Sequence, residues 1–198
     1  MQTQAPPATD APDAPFVLRR RLLLTVLPCT GGCAVAVLIL TNISLWLAAG
    51  AVALLGAGAA RIALQQADQQ QRAWLGQRVR HGVIAGVAAV AAYDVIRYGI
   101  KSVASLSLWP FHAIAMFGEQ FIGTGTSTTA QYAVGGIYHL LTGVGFIVAY
   151  AIVFRRARWR TAIAWATALE ASALLLYPSW LGVQSVNEFA AVSIGGHF

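Results

Sequence analysis

Apolar residues in this chain gather into long blocks separated by short polar stretches, and five of the blocks, at about 22–40, 45–64, 82–101, 131–154 and 161–181, have the length of a bilayer-crossing helix. At 1.5 Å per residue, about 20 residues cover the roughly 30 Å hydrocarbon core. The predicted fold is therefore all-α: a polytopic integral membrane helical bundle of about five transmembrane helices.

The polar connections refine that picture. Thr41, Asn42 and Ser44 make a short turn between the first two blocks, which predicts a tight helical hairpin. Residues 65–80 read as a Gln- and Arg-rich loop in which Trp74, Leu75 and Val79 rest a short helix on the membrane surface. Residues 102–130 are the one long connection on the other side. Inside it, 111–122 is apolar but only about 12 residues long, too short to span, so an interfacial or re-entrant outer helix is expected there. Pro110 suits its start and the Gly/Thr/Ser stretch 123–129 its end. Pro178 is expected to bend or end the fifth helix.

At the ends, residues 1–18 hold four of the seven prolines among Ala, Thr, Asp and Gln, a composition that reads as a disordered cytoplasmic tail. Arg19, Arg20 and Arg21 before a Leu run look like the start of an export signal. The apolar run, however, continues to Leu40, which favours a first span. The membrane domain is thus placed at 19–181, with 182–198 an outer tail whose end, 189–194, could instead begin a sixth span.

With 58% hydrophobic and 10% charged residues, the chain lacks the polar surface of a soluble globule. A net charge of +6 raises nucleic acid as a partner, but the position of the charges argues against it. Eleven of the thirteen basic residues flank apolar blocks, at Arg19–Arg21, at Arg61, Arg72, Arg78 and Arg80, and at Arg155, Arg156, Arg158 and Arg160. This bias predicts a cell (inner or plasma) membrane protein with the amino terminus cytoplasmic and the carboxyl end outside. Its first partner is the lipid bilayer. Trp46, Trp109 and Trp180 fall at expected outer boundaries and Trp159 at an inner one. Cys29 and Cys33 share a helical face inside the first block and read as small packing residues.

Ionisable groups inside a span cost roughly 2.5 to 3.5 kcal/mol each on insertion scales, so they need a reason. Asp94, Arg97 and Lys101 lie along one face in the outer half of the third block, Glu170 lies near mid-depth in the fifth, and His139 lies in the fourth at a similar depth. Small and hydroxyl residues surround His139 and Glu170, which marks inward-facing sides. His112 and Glu119, seven residues apart on the short outer helix, would cap the same interior.

Three functions are consistent with such a cluster. The first is structural and non-catalytic: Asp94 pairs with Arg97, and His139 bonds Glu170 to fix helix packing, within a subunit of a larger assembly. The second is a proton or cation pathway through Asp94, His139 and Glu170 in a transporter or channel component. The third is a membrane enzyme or electron carrier with a metal or haem held by His112, Glu119, His139 and Glu170. No paired-ligand spacing, catalytic triad, Walker loop or dinucleotide fingerprint supports an enzyme, and no cofactor is expected.

Two smaller features concern packing. Gly82 and Gly86 form a G-x-x-x-G that lets a second helix approach closely, from this chain or from another copy. Gly86–Tyr93 and Gly143–Tyr150 match at four of eight positions, as remnants of an inverted repeat would.

Overall fold

A computed structural model describes residues 16–65, 67–182 and 186–197, so most of the expected disordered tail lies outside the described residues. Among these residues the chain is helical, with no strand. The helices are α1 (Leu18–Thr25), α2 (Thr30–Thr41), α3 (Leu45–Leu64), α4 (Gln69–Val103), α5 (His112–Ile122), α6 (Thr128–Val153), α7 (Trp159–Trp180) and α8 (Val186–His197).

The first apolar block is not one straight helix. α1 and α2 meet at 67°. Pro28 accounts for the break, because it has no N–H to offer one turn back and its ring crowds the carbonyl there. Two glycines receive the bend: a Cβ on Gly145 of α6 would overlap the Pro28 carbonyl, and one on Gly56 of α3 would lie 2.7 Å from the Leu27 Cα. After α2, Asn42 adopts the left-handed conformation (φ 58°) and its N–H bonds the Leu38 carbonyl at 2.8 Å, closing the expected hairpin into α3.

A second difference concerns residues 65–80. No separate surface helix forms; α4 starts at Gln69 and runs 35 residues, about 52 Å, to Val103. Asp68 is the reason. Its carboxylate accepts from the Gln71 N–H at 2.8 Å, while the Gln71 side chain accepts from the Asp68 N–H at 3.3 Å. That reciprocal box satisfies two donors that would otherwise fray the helix. Trp74 and Leu75, on the first turns, pack with Phe16, Leu24, Ala63 and Ile152.

α4 lies antiparallel against α6. A Cβ on Gly82 would come within 2.8 Å of the Val148 Cα, one on Gly86 within 2.9 Å of the Val144 Cα, and one on Gly143 within 2.4 Å of a Val90 methyl. The close approach expected of Gly82 and Gly86 is thus made inside the chain, and the face offered for self-association is taken by α6. The two resembling segments, 86–93 and 143–150, meet along this seam.

α5 returns along the first part of α6. Gly118 sits against the Gln131 carbonyl and Gly135 against the Ile114 carbonyl. Gly135 is seven residues into α6, so α5 starts about 10 Å down that helix and runs back to its beginning. Most of the stretch expected as the C-terminal tail is α8: Glu188 bonds Ser107 and Leu108, while Gly195 and Gly196 reach Ile100, Tyr93 and Arg97. It therefore descends along α4.

Among the described residues three helices, α3, α4 and α6, are long and apolar enough to cross a membrane, or four if the bent pair α1–α2 counts as one span. α7 has the length, with 22 residues, but Glu170, Pro178 and its polar flanks dilute its apolar character. It continues two residues past Pro178. Within the apolar stretches of α3, α4 and α6 only 17% to 22% of residues are buried by the protein itself. Leu54, Leu55, Ile62, Ile84, Val95, Ile137 and Leu141 point outward, a surface suited to lipid and not to water.

Arginines from distant parts of the chain converge at one end. Arg21 donates to the Val153 carbonyl at 2.7 Å, and Arg78 donates to the Arg155 carbonyl.

Candidate functional site

The glycine seam between α4 and α6 ends on a polar pair. His139 Nε2 lies 3.1 and 3.2 Å from the two carboxylate oxygens of Asp94, across the helix interface. Their side chains are 20% and 26% exposed. Asp94 thus meets His139 of the facing helix, where pairing with Arg97 was expected, and His139 meets Asp94, where Glu170 was expected.

Arg97 takes other partners. It is 8% exposed, its Nη2 donates to the Pro110 carbonyl at 2.6 Å, and its guanidinium sits 4.9 Å from the centre of the Tyr93 ring. The first contact ties the segment before α5 to α4, and the second places the cation over the electron-rich face of an aromatic ring. Tyr93 lies close enough to Ser193 of α8 for their side chains to interact. At Gly196 a Cβ would lie 2.7 Å from the Tyr93 ring and 2.8 Å from Arg97 Cγ, so only a glycine lets α8 press on these two side chains.

Glu170, on α7, is 3% exposed. It lies within electrostatic range of Tyr93, as do Arg97 and Asp94. Four helices therefore bring Tyr93, Asp94, Arg97, His139, Glu170 and Ser193 into one neighbourhood.

The remaining candidates are elsewhere. His112 is exposed at the start of α5, and Glu119 is partly buried one α5 length away, near its end. Among the described residues no three His, Cys, Asp or Glu side chains come together in a group that could hold a metal ion, so His112, Glu119, His139 and Glu170 are not assembled into one. Cys29 and Cys33 are free thiols.

Tyr93, Ser193 and the Pro110 carbonyl were not foreseen. Tyr93 had a signal, since it stands four residues before Arg97 on the same helical face. Ser193 had none, because the course of α8 decides its position. No family model, curated protein or solved structure matches this chain.

Proposed function

We propose that the chain is a small non-catalytic multi-pass membrane protein whose polar cluster sets the register of its helices, as a subunit of a larger membrane assembly. The carrying observation is the His139–Asp94 pair at the end of the Gly82/Gly86 seam. Sliding α4 by one turn would break the pair and leave one of the two valines, Val148 or Val144, facing a residue larger than glycine, so polar and steric terms specify the same alignment. The pair is a fifth to a quarter open in the single chain. A polar pair at membrane depth is covered by protein or water and not by lipid, which favours a neighbouring subunit.

In this reading five spans cross the cell membrane: α1–α2 as one bent span, α3, α4, α6 and α7. The arginine end is cytoplasmic, and α5 and α8 enter from the other side. The test compares single and double replacements. Asp94→Leu alone strands an imidazole and His139→Leu alone strands a carboxylate, each costing about 1–3 kcal/mol, whereas replacing both restores most of the loss. A double variant no more stable than the singles would contradict a packing role.

A second reading has one observation of its own. Asp94 and His139 face each other across the α4–α6 interface, and Tyr93, its ring 6.5 Å from that of His139, lies within electrostatic range of Glu170. Such a set suits a proton or cation pathway. If so, Glu170→Gln abolishes a pH-driven flux in proteoliposomes while the protein stays folded; an unchanged flux, or none in the parent protein, removes it.

A further inference from the structure

At the arginine end, the turn between α6 and α7 forms an open depression of about 400 Å³ lined by Phe154, Arg155, Arg156, Arg158 and Thr161. Three of its five lining residues are arginines, and cations from two other elements stand behind it. Arg78 of α4 donates to the Arg155 carbonyl, and Arg21 of α1 is near enough to both Arg155 and Arg78 for the three to repel one another. Apart from Asp68, which caps α4, the described residues place no carboxylate on the arginine-rich stretches. Thr161 holds the lining in place, because its hydroxyl bonds both the Arg158 carbonyl at 2.9 Å and the Tyr150 hydroxyl at 2.8 Å. Beside the depression, Trp159 is 70% exposed and carries Arg160 against its ring at 5.3 Å. An indole and a guanidinium in that arrangement suit the headgroup layer.

We propose that this depression binds the phosphate of an anionic phospholipid headgroup. Arginine forks match phosphate oxygens in pairs, and an anion there would relieve the repulsion among Arg21, Arg78 and Arg155. A lipid fits better than a free ion because the depression lies where α6 ends and α7 begins, next to the outward apolar surface of the bundle.

The test uses the full-length protein in neutral detergent, with phosphatidylglycerol, phosphatidylcholine or inorganic phosphate added. Native mass spectrometry and melting temperature are the readouts. Phosphatidylglycerol should stay bound and raise the melting temperature, with binding at least about tenfold weaker in the Arg155→Gln/Arg156→Gln/Arg158→Gln variant. A variant losing three exposed arginines at the same end, Arg19→Gln/Arg61→Gln/Arg80→Gln, should keep it. Equal loss in both variants would reduce the effect to general surface charge and overturn the site. Stabilisation by inorganic phosphate equal to that by the lipid would overturn the lipid assignment. Should the first variant not fold, the parent protein still decides: no preference for phosphatidylglycerol over phosphatidylcholine refutes the proposal.

Discussion

Adjacent glycines on α6, Gly135 and Gly136, should respond in opposite ways to the same added methyl group. A Cβ on Gly135 would fall 1.7 Å from the Ile114 carbonyl oxygen and 2.8 Å from the Gly118 nitrogen, whereas one on Gly136 meets nothing within 4 Å. Ordinary contact begins near 3.4 Å, and the obstacle is backbone. α5 must then move away from α6 by roughly 1.5 Å, and a gap of that size forfeits half or more of the dispersion across the interface. Overpacking of this kind costs about 1–3 kcal/mol, and the upper part of that range applies where no side chain can rotate aside. Helix propensity offsets less than 1 kcal/mol of it. For Gly135→Ala the expected net loss is thus about 2 kcal/mol; Gly136→Ala should be neutral or stabilising by up to about 1 kcal/mol. The assay is thermal unfolding in detergent followed by tryptophan fluorescence, which reports this region because Trp180 stacks on Phe117 of α5 at 5.4 Å. Gly118→Ala, opposite the Gln131 carbonyl, should add little once Gly135→Ala has parted the helices. Equal melting of the Gly135 and Gly136 variants, or full additivity with Gly118, would refute the close packing of α5 on α6.

Other expectations follow from the same contacts. Arg97→Met removes the donor to the Pro110 carbonyl and the cation over Tyr93, and should cost about 2–3 kcal/mol while exposing residues 104–111 to protease; unaltered cutting would contradict it. At the start of α8, the Ser107 hydroxyl at 2.8 Å and the Leu108 N–H at 3.0 Å both donate to Glu188 and hold its carboxyl below the usual range. A lowered folded-state pKa means this attachment is complete above the ordinary carboxylate value and fades as pH falls through the lowered one. Protection of the α8 amides relative to their intrinsic exchange rate at each pH should therefore fall in acid, beginning at higher pH in Ser107→Ala and losing its pH dependence in Glu188→Gln. Protection insensitive to acid in the parent protein would rule the tether out.

Much of the helical layout was legible because it depends on local composition. The second apolar block coincides with α3, and the short outer helix expected at 111–122 is α5, His112–Ile122. The start of α4 was also written locally, in the Asp68-x-x-Gln71 box, but the weight of Gln and Arg after it read as a loop. Pro28 carried a signal for the break between α1 and α2 that the reading of one continuous helix over 22–40 passed over, and the angle depends on Gly56 and Gly145 lying opposite, far away in sequence. The site divides in the same way. Asp94, Arg97, His139 and Glu170 stand out as ionisable residues in apolar surroundings, whereas their pairing follows from the α4–α6 register. Arg97 in particular lies beyond sequence reasoning, since its partner is a backbone carbonyl brought in by the segment before α5.

α5 and α8, at 11 and 12 residues, are each too short to enter a bilayer alone. Both lean on α4 or α6, so they can dock only after those spans are in place. Until then Arg97 and Tyr93 have neither Pro110 nor Ser193 beside them, and water can reach the charges from that side. In the proposed topology that order would let the long helices enter first with their polar face still wet, and the two short ones would seal it afterwards.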